Sequence, residues 1–525
     1  MKGIDNVMNL GEILNQIARR YPDAPGFIRS GREYSWKEIS MRVDSVAAAL
    51  RERGIGKGDK LLVHSRNNLP LFESAWVAFR LGAVWVPTNV RITPVEAAYL
   101  GSSSGAVAML YDEDLEHYVD AVRDASPSLK TVIAIGQPRK GELSYEQLLD
   151  EGRAAYATFR AADVTYHDPL WFFYTSGTTG HPKAGVLTHG QMAFVINNHI
   201  ADLMPSLNQH SRSLVLAPLS HGAGIHALIN AARGAACVLP ASDKLDCDEA
   251  WRLVQEYRVD NLFTVPTIVK MLTESDAVDR YDHSSLRHVI YAGAPMYRAD
   301  QRHALNKLGK VLVQYYGLGE VTGNITVLPA DCHDSEDSPN AKVGSCGYPR
   351  TGMQVAILDE AGNEMDTGVD GEICVRGPAV FSGYYNNPKA NESCFKFGWF
   401  HTGDLGHVDE QGYLFITGRA SDMYISGGSN VYPREIEEAL LSHPAVTEAA
   451  VLGMPDAKWG ESGYAVIVTT AEVTDEQLLA YLEPRIARYK WPKRFVRWDE
   501  MPKSGYGKIV KKQIRALLEE RQEVA

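Results

Sequence analysis

At 525 residues, with 45% apolar and 22% charged residues, the chain has an ordinary globular composition that excludes a disordered protein, and it is too long for one core; about three or four folded units are expected. A net charge of -12 excludes a general nucleic-acid binder, which needs a basic surface against phosphates. Charged residues interrupt positions 1–14 and no run of 18 apolar residues occurs, so neither a secretory signal nor a membrane span is expected. The six cysteines form no CxxC pair and are expected to be reduced packing residues in a cytoplasmic protein.

From residue 35 to 111 helix and strand signals alternate. Ser35 with Glu38, and Thr93 with Glu96, have the spacing of capping boxes before helical apolar patterns. The short apolar runs KLLVHS (60–65), VWVPTN (84–89) and AVAMLY (106–111) suit the buried strands of a parallel sheet. The rhythm returns between Ser213 and Tyr316, with strands expected near LVLAP, ACVLP, NLFTVP, HVIYAG and VLVQYY, which predicts layered α/β architecture. Beyond Asn340, close-set glycines and the alternating stretches MQVAIL and GEICVRG predict a small antiparallel β unit. A third texture starts near Gly418, where a Gly-rich turn precedes Pro433 at the expected N1 position of a helix, and short strands and helices follow to the end. From Arg485 onward twelve Lys and Arg stand against five Asp and Glu, a basic tail on an acidic body.

The strongest chemical signal is Thr175-Ser-Gly-Thr-Thr-Gly-His-Pro-Lys183, directly after the apolar run LWFFY. Gly177 and Gly180 let backbone N–H groups turn inward, the hydroxyls of Thr175, Ser176, Thr178 and Thr179 can donate, and Lys183 adds positive charge, all of which suit phosphate. A polar hairpin loop has the same composition. The loop is not a Walker A motif, because GxxxxGK[ST] occurs nowhere, and no GxGxxG follows a strand. Gly101-Ser-Ser103-Ser-Gly105 matches GxSxG, but a nucleophile elbow runs from strand to helix, whereas this segment is expected after a helix and before a strand.

The loop resembles the signature of the adenylate-forming superfamily of acyl-CoA synthetases, luciferases and peptide-synthetase adenylation domains, and further motifs follow in the family's order: Leu219-Ser-His221, Tyr291-Ala-Gly-Ala-Pro295, Gln314-Tyr-Tyr316-Gly-Leu-Gly-Glu320, Trp399-Phe-His-Thr402-Gly-Asp404, Gly418-Arg419 and Pro502-Lys-Ser-Gly-Tyr-Gly-Lys508. The resemblance implies a large AMP-binding domain over 1–419, built of layered α/β subdomains and a small β-barrel-like unit, and a small mobile α+β domain over 420–525. It implies an ATP-dependent acid–thiol ligase that forms an acyl adenylate and then an acyl-CoA thioester. The expected ATP contacts are residues 175–180, Gly293, Ala294, Pro295, Tyr315, Tyr316, Gly317, Asp404 on the ribose and Arg419 beside it. Lys508, Lys183 and Glu320 are the expected catalytic residues, with Glu320 holding Mg²⁺. A carboxylate beside a triphosphate makes sense with a cation between them.

His221, Gly222, Ala223, Gly293, Leu318 and Gly319 are expected to line the acyl pocket, and Gly427, Gly428, Trp459 and Tyr489 to meet coenzyme A, with Trp491 a further aromatic candidate for its adenine. Two departures stand out: Gly319 occupies a position where the family usually has Thr, and Ser421 stands at the hinge where Asp or Lys is usual. Delivery to a carrier protein or other acceptor, and a non-catalytic nucleotide-binding member, are the alternatives; no appended carrier domain is expected, and both Lys508 and Glu320 are present. The segments 220–225, 292–294 and 318–324 carry only His221 and Glu320 as titratable groups, so an uncharged aryl, alicyclic or medium-chain acid is expected. Oligomeric state is not encoded in any of these patterns.

Overall fold

The structure, a computed structural model, describes residues 6–175, 181–294, 296–336, 338, 341–426, 429–456, 458–503 and 509–521. Two large sheets, one five-stranded sheet and a two-stranded pair organise them. The first has seven strands, with a parallel run through Trp171, Val84–Pro87, Lys60–His64, Ala108–Asp112 and Thr131–Ile135 and one antiparallel hairpin at its edge. These strands are the apolar runs of the sequence, buried on both faces as a parallel sheet requires. The second sheet carries Ala236–Leu239, Arg212–Val215, Asn261–Thr264, His288–Tyr291 and Leu312–Tyr316 as parallel neighbours in that order.

Beyond Leu312–Tyr316 the second sheet turns antiparallel through Thr326–Leu328 and Ser345–Pro349, then continues into Leu414–Arg419, Trp399–Val408, Gly371–Arg376 and Gln354–Leu358. The small antiparallel unit expected from MQVAIL and GEICVRG is therefore present, joined edge-on to the α/β sheet. A five-stranded sheet, chiefly antiparallel, built on the paired strands Val446–Asp456 and Gly460–Thr469, carries the helices Pro433–Leu441 and Lys511–Glu520. Its core of Tyr424, Ile436, Val451, Ile467 and Leu478 is separate from that of the large sheets. Pro433 sits at the start of its helix, where its missing N–H costs nothing.

The cap at Thr93 is a full capping box: its hydroxyl accepts from Glu96 N while the Glu96 carboxylate accepts from Thr93 N at 2.7 Å. The Ser35 cap is only half of one. Ser35 accepts from Glu38 N, but the Glu38 carboxylate turns to Arg32 at 3.6 Å, because the neighbouring strand offers a cation. Ser103 and Ser104 lie inside the Pro94–Ser104 helix, which ends at Gly105 in the left-handed region, so the GxSxG match is a helix C-terminus and not an elbow. All six cysteines are free thiols, and burial pushes those of Cys237, Cys346 and Cys374 up to about 12. Among the described residues no helix is long and apolar enough to cross a membrane.

Candidate active site

The phosphate-loop signature joins two antiparallel strands, Pro169–Thr175 and Lys183–Thr188, and their register pairs Thr175 directly with Lys183. Glu320 lies in a 3₁₀ turn just past the C-terminal end of the parallel strand Leu312–Tyr316, where open α/β sheets present ligands. It is 6% exposed, and one carboxylate oxygen accepts from Thr175 Oγ1 at 2.9 Å and from the Tyr384 hydroxyl at 2.8 Å. Lys183 Nζ stands 5.2 Å over the Tyr384 ring. Burial, and then the Glu320 carboxylate, push the Tyr384 hydroxyl above its ordinary range, so it stays a donor. Tyr384 was not foreseen; its segment carries no motif, and it is brought to the site by the bridge between Gly185 and Tyr384 and by backbone hydrogen bonds from Phe381 N to the Glu320 carbonyl and from Tyr385 N to the Ala184 carbonyl.

A second polar cluster occupies the junction of the parallel and antiparallel sheets. Asp404 and Arg419 are register partners on adjacent antiparallel strands, and Arg419 Nε lies 2.8 Å from Asp404 Oδ1. The Tyr316 hydroxyl donates to Asp404 Oδ2 at 2.6 Å. Burial and the carboxylate together hold that phenol protonated. The expected grouping of Tyr315 with Tyr316 on the nucleotide needs correction. Strand alternation sends them to opposite faces, and the Tyr315 ring lies parallel to Phe263 and His226 at centroid distances of 5.8 and 5.9 Å. Gly317 keeps its place by close packing: a Cβ there would lie 2.5 Å from Gly323 Cα. Gly293, in the left-handed region at φ +85, and Ala294 follow the neighbouring parallel strand His288–Tyr291.

Of the residues expected at the acyl pocket, His221 precedes the helix Gly222–Ala232 and its ring packs on Phe173, centroids 4.4 Å apart. Gly222 faces Phe263, since a Cβ on it would lie 2.9 Å from that ring, and Ala223 is buried. Gly319 abuts Phe173 and Thr175, while Leu318 packs against the main core. The 318–324 segment has a buried cation beside it. Arg350, from outside the three segments, is fully buried and donates from Nη1 to the Gly323 carbonyl at 3.4 Å. Sequence windows could not show it, because it arrives from the loop after Ser345–Pro349.

In the C-terminal region Trp459 is 42% and Tyr489 52% exposed, each with lysine near its ring: Lys458 at 4.9 Å and Lys493 at 5.5 Å from Trp459, and Lys490 at 5.6 Å from Tyr489. Trp491 instead packs against the small domain's core and donates to the Ile486 carbonyl, so it is a packing residue. At the junction Arg419 continues into a turn in which Asp422 and Met423 donate backbone N–H to the Arg419 carbonyl, and Ser421 is exposed. Residues 176–180, Pro295, Gly427, Gly428 and Lys508 lie outside the described residues.

The AMP-binding enzyme family matches residues 14–385, and the AMP-binding enzyme C-terminal domain matches residues 435–508. The chain is 33% identical over 514 residues to an indoleacetate–CoA ligase of Aromatoleum aromaticum, covering 97% of this chain and 98% of that protein. It is 34% identical over 502 residues to a feruloyl-CoA synthase of an Amycolatopsis species, covering 95% and 96%. Among solved structures, an o-succinylbenzoate CoA synthetase of Bacillus subtilis, in complex with its acyl-adenylate intermediate, superposes with a TM-score of 0.82 at 27% identity, covering 98% of this chain and 99% of that one. With both polar clusters at the strand ends where a nucleotide would lie, and with matches over nearly its whole length, the chain belongs to the AMP-binding enzyme family.

Proposed function

We propose that the protein activates a carboxylic acid with ATP and transfers the acyl group to coenzyme A. The observation that carries this reading is the pair of clusters flanking one strand end. Thr175, Lys183, Tyr384 and Glu320 gather at the phosphate hairpin, and Tyr316, Asp404 and Arg419 gather four residues upstream of Glu320. The first suits a triphosphate and the second a ribose, whose hydroxyls would share Asp404 with Arg419 and Tyr316.

The chemistry is an acid–thiol ligation in two displacements. A carboxylate oxygen of the acid attacks the α-phosphorus, the bond to the bridging oxygen breaks, and pyrophosphate leaves; the thiol sulfur then attacks the acyl carbon and AMP leaves with its carboxyl-derived oxygen. Lys183 and the hairpin hydroxyls bind the departing phosphates, and Lys508 offsets charge on the transferring oxygens. Glu320 is a buried carboxylate held by two hydroxyls, and among the described residues it pairs with no Lys or Arg, which suits a hard cation such as Mg²⁺. When bound, such an ion neutralises phosphate charge. The boundary between the two domains at 419/420, and Ser421 as hinge, complete this reading.

The aromatic walls Phe173, His221 and Phe263 favour an acid with a flat aryl or alicyclic body. Trp459 and Tyr489, exposed beside lysines, suit the adenine and phosphates of coenzyme A. The test is pyrophosphate release over a panel of acids, with and without coenzyme A, and with thioester followed directly. AMP and pyrophosphate without thioester when coenzyme A is present would overturn the choice of acceptor.

A further inference from the structure

Glu372 and His401 stand beside the ribose cluster, and the reaction above leaves both unused. They lie on the adjacent antiparallel strands Gly371–Arg376 and Trp399–Val408, and the register between those strands slips there. Glu372 pairs with Leu405 and Cys374 with His401, so Ile373 alone stands opposite three residues, Thr402, Gly403 and Asp404. Such a bulge turns a side chain away from the regular alternation, and here it carries Asp404. Gly403 supplies the left-handed backbone that the turn needs, at φ +74.

Side-chain bonds hold this bulge in one shape. Glu372 Oε1 accepts from Gly403 N at 3.0 Å, and its Oε2 accepts from His401 Nδ1 at 2.8 Å. An ionised carboxylate only accepts, so Nδ1 carries the imidazole proton. With both oxygens engaged, the Glu372 carboxylate is held against Gly403, and the His401 side chain that holds it is 9% exposed. Thr402 completes the clamp: its hydroxyl donates to the Ile373 carbonyl at 2.7 Å and accepts from Asp404 N at 3.1 Å. Ala420 N donates to the Gly403 carbonyl at 3.0 Å from the strand beyond. Asp404 is thus the end of a chain of contacts that starts at His401, and its own carboxylate meets Arg419 at 2.8 Å and Tyr316 at 2.6 Å.

We infer that Glu372, locked by His401, is a positioning residue that aims Asp404 at the ribose hydroxyls of the nucleotide, and thereby sets the preference for a ribonucleotide over a deoxyribonucleotide. This deepens the ligase reading and rests on its placing of the ribose at Asp404. Glu372 acts on the backbone next to Asp404, so removing it changes where that carboxylate points and leaves the phosphate hairpin alone. A hydrogen bond weakens steeply as its angle and distance depart from ideal, so a loosened bulge costs the ribose contact first.

The experiment measures kcat and KM for pyrophosphate release with ATP, 2′-deoxy-ATP and 3′-deoxy-ATP, using the acid that the wild-type enzyme accepts best. The wild type is expected to prefer ATP about tenfold, the scale for a hydrogen bond to a charged group. Glu372→Ala should raise the KM for ATP about tenfold with kcat nearly unchanged, and leave the deoxynucleotides nearly as they were, so that the preference collapses. Glu372→Gln, which still offers Gly403 N an oxygen, should restore part of it. The effect of Glu372→Ala should vanish on an Asp404→Ala background, where no aim is left to lose. An equal fall for ATP and both deoxynucleotides in Glu372→Ala, or an undiminished effect beside Asp404→Ala, overturns the positioning role. Where Glu372→Ala does not fold, His401→Phe, which removes the Nδ1 donor and leaves Glu372 in place, carries the same comparison. A wild type indifferent to both missing hydroxyls would sink the ribose assignment of Asp404 and the positioning role with it, whereas release with no acid at all would sink the ligase reading, so the failures are told apart.

Discussion

A β-carbon on Gly319 would lie 2.6 Å from Cδ1 of the Phe173 ring and 2.9 Å from Cγ2 of Thr175. The residue that departs from the family pattern is thus fixed by a neighbour: the Phe173 ring fills the space a threonine side chain would need, and packs on His221 from there. Gly319→Thr should cut adenylation at least tenfold, because the ring or the turn carrying Glu320 must shift. Phe173→Leu alone should be milder, and the double variant should recover most of the loss. The check is a double-mutant cycle on kcat/KM; purely additive effects would show that the two positions are independent.

Tyr384→Phe keeps the ring beneath Lys183 and removes only the donor to Glu320. We expect adenylation kcat/KM to fall about tenfold, near the scale of a hydrogen bond to a charged group, with the melting temperature nearly unchanged. Glu320→Gln should raise the Mg²⁺ concentration required for half-maximal rate. An unaltered rate in Tyr384→Phe would reduce Tyr384 to a packing residue.

Lys508→Ala should lose adenylation by about 10²- to 10³-fold, the scale for one charge-stabilising donor, while thioester formation from supplied acyl adenylate survives. Ser421→Pro, in the turn after Arg419, should spare adenylation and slow thioester formation, by fixing φ at the hinge about which the proposed mechanism would rotate the C-terminal domain. Equal damage to both half reactions by Lys508→Ala would leave a static site as the better account.

Several buried histidines predict the acid side of the stability profile. Burial holds His64, His189 and His333 down to about 4 and His226 to about 3, against 6.5 for an exposed ring. Each is depressed in the folded state, so its contribution is intact above pH 6.5 and is lost as pH falls toward its folded value, where only the unfolded chain takes up the proton. Urea midpoints should therefore fall steadily from pH 6.5 to 4. His64→Asn, which keeps a polar partner for Thr88, should reduce proton uptake on unfolding by about one at pH 5. The same uptake as wild type would mean that His64 titrates normally.

The sequence by itself determined the elements and the order of the chemistry. Apolar runs at 60–65, 84–89 and 106–111, the Thr93–Glu96 cap and Pro433 at N1 are local signals, set by burial periodicity and by orphan N–H groups within one turn. Thr175, Lys183, Tyr316, Glu320, Asp404 and Arg419 stood out because nucleotide chemistry places them in short motifs, and the structure gathers them into two clusters. Tyr384, 64 residues from Glu320, was invisible, since nothing around it announces a partner so distant in sequence. Arg350, Phe173 and the opposed faces of Tyr315 and Tyr316 were likewise decided by tertiary structure alone. Local patterns report which face is buried; which buried side chains meet depends on sheet order and helix packing, and those bring together residues that the chain keeps far apart.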